Sequence, residues 1–121
     1  MEIQFFDNGD QKPQPREEIR IESLSATPYP DRFRIFVEIH VTPFLERPNI
    51  LLVATNSASN IVGELNIIET MHAKMEFTLH LRGVKDPAGD YNLKAELFYE
   101  TRNPPQDQKE ITFTVPTSES A

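Results

Sequence analysis

Phe33-Arg34-Ile35-Phe36-Val37-Glu38-Ile39-His40-Val41-Thr42 is the stretch that decides the fold of this chain. Phe33, Ile35, Val37, Ile39 and Val41 take every second position, while Arg34, Glu38, His40 and Thr42 take four of the five places between. A period of two sends one set of side chains to each face of an extended backbone, and the β-branched types suit that conformation. The stretch reads as a half-buried strand, with Phe36 the exception on its polar face.

Working outward, the same alternation recurs. Glu18–Ser25 places Ile19 and Ile21 on one face. Ala73–Arg82 offers Met75, Phe77, Leu79 and Leu81, and Asp90–Glu100 offers Tyr91, Leu93, Ala95, Leu97 and Tyr99. Lys109–Val115 offers Ile111, Phe113 and Val115. Asn49–Asn56 differs, because Ile50, Leu51, Leu52 and Val53 run consecutively; a strand apolar on both faces needs cover on both. Ile35, Val37, Ile39, Phe77, Leu79, Leu93, Leu97 and Phe113 are expected in one core.

Ile61–Thr70 is ambiguous. As a strand it turns Leu65 and Ile67 to one face. As a helix, Leu65, Ile68, Met71, His72 and Met75 fall at spacings of three and four. The β-branched content favours a strand and an all-β chain; a helix over residues 64–75 would make the fold α+β.

Ten prolines against four glycines punctuate these runs. Proline fixes φ and removes a donor, which confines it to strand ends and turns. Seven short strands with turn signals between them predict an antiparallel β-sandwich over residues 17–116. Residues 1–16 read as a short edge strand at Ile3–Phe6, a turn, and a linker stiffened by Lys12-Pro13-Gln14-Pro15; residues 117–121 read as a disordered tail.

Asp86-Pro87-Ala88-Gly89-Asp90-Tyr91-Asn92-Leu93, just before the sixth main strand, resembles the Asp-x-Gly/Ala-x-Tyr-x-Cys signature of immunoglobulin-like domains. Leu93 stands where that family has cysteine, and the chain has neither cysteine nor tryptophan. The likeness is therefore to fibronectin type III and cysteine-free immunoglobulin-like domains. It implies that Tyr91 is a structural corner residue, its hydroxyl bonding back to backbone in the Lys85–Ala88 region. The alternative is an ordinary turn with Tyr91 packed in the core.

The chemistry is sparse. Without cysteine there is no disulfide framework and no thiolate. A net charge of −7 disfavours nucleic acid and anionic membranes. The longest apolar run is Ile50–Ala54, far short of the roughly 18–20 residues of a membrane span, and Met1–Asp7 lacks a leader pattern. A cytoplasmic setting is expected. His40 and His80 fall on outer faces of neighbouring strands, where a surface metal site is conceivable, but two solvated histidines are the far commoner arrangement and no metal ligand is predicted. Asp7-Asn8-Gly9-Asp10 lacks the spacing of a calcium loop and reads as a turn. No nucleophile elbow or phosphate loop occurs. No cofactor and no catalytic residue is predicted.

These features point to a non-catalytic immunoglobulin-like interaction module. If Leu52 and Leu97 face inward, Leu51, Val53 and Phe98 face outward from one sheet. They form a candidate contact surface for a protein partner, or for a symmetric homodimer if the patch is open. A pocket for a small apolar ligand, or an unrecognised active site, are the alternatives.

Overall fold

The alternation of apolar residues becomes two antiparallel sheets in a computed structural model that describes residues 12–117. Seven strands are formed: β1 Ile21–Pro28, β2 Arg34–Val41, β3 Asn49–Asn56, β4 Ile61–Ile67, β5 Lys74–His80, β6 Gly89–Phe98 and β7 Asp107–Val115. One sheet has the order β1-β2-β5 and the other β4-β3-β6-β7. Among the described residues the helical content is one 3-10 turn, Arg16–Glu18. The chain is an all-β sandwich. The short strand expected at Ile3–Phe6, the Asp7–Asp10 turn and residues 118–121 lie outside the described residues.

The alternation of β2 survives intact: Ile35, Val37 and Ile39 have no exposed surface, while the residues between are half-exposed. They meet Ile50, Leu52, Leu93 and Leu97 from the other sheet, also fully buried. Each such side chain contributes roughly 1.5–3 kcal/mol by leaving water. Phe113 and Leu79 complete the core, and Phe77 packs against it half-buried at a margin.

The helix considered for residues 64–75 does not form, because Ile61–Ile67 pairs antiparallel with β3 from Thr55 back to Ile50, with one register shift between Ala54 and Thr55. Gly63 shows why a strand wins. Its hydrogen-only side chain lets β4 approach β5, where an added Cβ would lie 3.1 Å from the His80 carbonyl oxygen and 3.2 Å from Leu79 Cγ.

Strand boundaries also shift: β4, β5 and β6 stop at Ile67, His80 and Phe98, short of the expected Thr70, Arg82 and Glu100. β1 starts at Ile21, after the 3-10 turn, and a bulge between Ile21 and Ser23 changes its phase. Within β1 the buried residues are therefore Ile21 and Leu24, three apart, while Ile19, expected on the same strand face, is fully buried but precedes the strand. β7 starts two residues early, since Asp107 already pairs with Leu97.

The two flanks of the sandwich differ. On the β1/β7 flank the Asp107 carboxylate accepts from the Ile21 amide at 2.8 Å, and the Gln106 side-chain Nε2 donates to the Ile19 carbonyl at 2.8 Å. On the β4/β5 flank the Arg82 amide reaches the Val62 carbonyl at 2.7 Å near one end. Leu65, Ile67 and Phe77 are only partly covered there.

Candidate interaction surface

β3 and β6 run side by side, so opposed residues share a face. Leu51 lies between Asn66 and Glu96, Val53 between Glu64 and Lys94, and Phe98 opposite Asn49. Leu51, Val53 and Phe98 thus share the face turned away from the core, but they are interleaved with charge. Leu51 is only 4% exposed, and Val53 and Phe98 are half-buried. The open apolar patch on which the dimer expectation was conditional is absent at its centre.

Beside Leu51 sits a charge cluster. Glu96, only 6% exposed, accepts from Arg102 Nε at 3.0 Å and faces Lys94 Nζ at 3.5 Å. A buried carboxylate costs several kcal/mol unless paired, so these two cations make its position tenable. The consecutive apolar run showed that β3 needs a second cover. The sequence carried no sign that charged side chains of β6 and its following loop would border it.

Large apolar side chains are exposed elsewhere. Leu45, Ile68 and Met71 are 68%, 65% and 67% exposed, and all three belong to loops at the end of the sandwich where β2 and β4 stop. The two loops are bonded: the Thr70 amide donates to the Pro48 carbonyl at 2.9 Å, and the Glu69 amide to Asn49 Oδ1 at 2.8 Å. Glu69 itself has φ of 47°, a conformation costly for a non-glycine residue. A groove of about 330 Å³ runs from this loop along the open flank, past Ile67, Met71, Met75 and Phe77. The adjacent pair Ile67-Ile68 was the available signal, since neighbours in an extended chain cannot both face the core.

Tyr91 is buried. Its hydroxyl donates to the Pro87 carbonyl at 2.7 Å, and its ring stacks on Phe113 at 5.2 Å. The acceptor falls within the stretch that the corner reading names. Burial pushes the phenol above its ordinary value, and the Asp86 carboxylate adds to that shift.

His40 and His80 do not meet. His40 opposes Lys74 at one end of the β2–β5 pair, and His80 opposes Arg34 at the other. Among the described residues no group of three or more His, Cys, Asp or Glu side chains could hold a metal ion. Grooves on the surface include one of about 540 Å³ between Pro28, Tyr29, Arg32 and Pro116. It lies at the rim, away from the filled interior between the sheets. No described helix is long and apolar enough to cross a membrane.

No protein-family model matches this sequence, and no curated protein matches it. Solved structures do share the fold. A β-glucuronidase from Bifidobacterium dentium, solved with coumarin-3-O-glucuronide, aligns with a TM-score of 0.64 at 16% identity, over 82% of this chain and 18% of that one. Two glycosyl hydrolase family 2 members from Bacteroides cellulosilyticus align with TM-scores of 0.59 and 0.56 at 13% and 11% identity, over 80% of this chain and 14% and 15% of theirs. At such identities the likeness is one of fold. This chain spans less than a fifth of each of those proteins.

Proposed function

We propose that this chain is a non-catalytic, immunoglobulin-like module of the fibronectin type III kind that works by contact with another folded protein. The sheet orders, with β4 beside β3, and the Tyr91–Pro87 bond support the immunoglobulin-like reading. The observation that carries the contact reading is the group Leu45, Ile68 and Met71, each about two-thirds exposed, on two mutually bonded loops at one end. Isolated surface apolar residues need no explanation, but three large ones on adjoining loops mark a surface suited to burial. The partner surface would be apolar at its centre and polar at its rim.

The fold likeness is consistent with this role, since the matched part is a small share of much larger hydrolase chains. A second reading follows from the same likeness: the chain belongs with a glycoside hydrolase as an accessory domain. Sedimentation and affinity capture with the parent and with Ile68→Glu/Met71→Glu test the contact. Loss of a stoichiometric complex in the double variant supports it; identical complexes, or a parent that stays alone throughout, would sink it. Turnover of an aryl β-glucuronide by the isolated chain would overturn the non-catalytic part.

A further inference from the structure

We propose that the sandwich is a rigid in-line spacer, holding its incoming and outgoing chain at opposite ends through two guanidinium clamps, Arg16 and Arg32. This goes beyond the contact reading and does not depend on it.

The path of the chain sets the geometry. β1 begins at Ile21 beside Asp107, the first residue of β7, so the chain comes in at the end where β7 starts. β7 then runs nine residues, on the order of 30 Å, and leaves at the other end. That far end also holds the β1–β2 turn and the Tyr91 corner.

The incoming segment is bonded to the body. The Gln14 amide donates to the Pro43 carbonyl at 2.9 Å, and the Leu45 amide to the Gln14 carbonyl at 3.0 Å, a parallel bridge. Arg16 then grips two loops of that end, β2–β3 through Glu46 and β6–β7 through Glu100. Its Nε and Nη2 donate to the two oxygens of Glu46 at 3.1 and 2.7 Å, and Nη1 donates to Glu100 at 3.2 Å. The guanidinium lies 4.5 Å from the centroid of the Tyr99 ring, whose hydroxyl donates to the Glu46 carbonyl at 2.9 Å. Gln106 closes the grip by donating to the Arg16 carbonyl at 2.7 Å. Single surface ion pairs hold little, but a bidentate fork stacked on a ring within a network is the exception. The guanidinium also holds the Glu46 carboxyl below the usual carboxylate range. Pro13 and Pro15 restrict what backbone freedom remains.

The outgoing end has its own clamp. Arg32 sits in the β1–β2 turn with φ of 69°, a costly conformation for arginine. In that position its Nη1 donates to the Pro116 carbonyl at 2.9 Å and lies 3.6 Å from Asp86 Oδ1. One side chain thus ties together the turn, the corner loop and the residue that follows β7.

The absence of cysteine makes the test direct, because introduced pairs carry the only spin labels. The pair Lys12→Cys/Ser57→Cys reports the incoming segment against the far end, and Thr117→Cys/Met71→Cys reports the outgoing one. Double electron–electron resonance should give one narrow distance peak for each pair. Arg16→Gln should at least double the width of the first and leave the second unchanged; Arg32→Gln should do the reverse. Arg16→Lys, which keeps the charge and loses the planar fork, should act like Arg16→Gln with less risk to folding. A broad or split distribution in either parent pair overturns the proposal. So do clamp variants that leave the widths unchanged, or one variant that broadens both pairs.

Discussion

The β1/β7 flank and the β4/β5 flank close the same core by different means. The first is sealed with polar bonds that cross from one sheet to the other: Asp107 to the Ile21 amide, and Gln106 to the Ile19 carbonyl. Ile19 and Ile21 are buried beneath them. The second touches at one narrow place, where Gly63 lies against Leu79 and His80, and then leaves Ile68 and Met71 in solvent. A sandwich this small needs specific bonds where a sheet margin must be shut. Where the bond from the Arg82 amide to the Val62 carbonyl closes only one end, apolar surface along the rest stays available to something else.

The largest expected effect on this contrast is at the sealed flank. Asp107 accepts from the Ile21 amide with one oxygen and from the Gln108 amide, at 3.0 Å, with the other. Asp107→Ala strands a part-buried amide, and hydrogen bonds to charged groups are worth about 1.5–3 kcal/mol. Urea melts should show a loss of that size. A loss below about 0.5 kcal/mol, the range of ordinary surface changes, would mean the flank is held by apolar packing alone and the contrast is misdrawn.

A smaller effect is expected at Tyr91, which belongs to the same half through its stack on Phe113 of β7. Tyr91→Phe keeps the ring and deletes the bond to Pro87, at a cost of about 1 kcal/mol. The phenol also gives a pH signature. Its value in the folded protein is raised above 10.0, so the folded state keeps the proton longer than the unfolded state. The stability it contributes is complete below the unfolded value and declines as pH rises from there through the folded one. The parent should therefore lose stability in that alkaline window, and Tyr91→Phe should lose less. Parallel melting curves for both proteins across that window would dissociate Tyr91 from the corner.

The same contrast explains what could be read from sequence. β2 and the inner face of β6 were legible because strict alternation leaves one arrangement that buries Ile35, Val37, Leu93 and Leu97 together. β3 was legible in phase, and its consecutive apolar residues announced a covered outer face. The cover itself was not legible, because it includes Glu96 held by Arg102, a residue from the loop beyond β6. β1 was misplaced because a bulge resets the period of two, and nothing in Ile21-Glu22-Ser23-Leu24 marks it. β4 was ambiguous for a physical reason. A margin strand on an open flank need not keep a clean polar face, so Leu65, Ile67 and Ile68 carry the periodicity of both a strand and a helix. Leu45 followed no period and could not have been singled out, and Met71 fell only in the helical spacing that the structure does not use.

The smallest expected effect is the sharpest check on the open flank. Ile68 is 65% exposed and follows β4, in the loop that leads to β5. If that flank is open in solution, Ile68→Ser removes little buried surface. It should then change stability by no more than about 0.5 kcal/mol, the range for surface substitutions away from special features. It should also raise solubility, since it reduces the exposed apolar surface that Ile68 and Met71 present beside one groove. A loss of 2 kcal/mol or more, the scale of truncating a core side chain, would show Ile68 buried against the groove beside Phe77. The two flanks would then be closed alike, and the surface offered for contact would have to lie elsewhere. Differential scanning calorimetry on dilute protein separates these outcomes, because a partner-facing residue is silent in the isolated chain and a core residue is not.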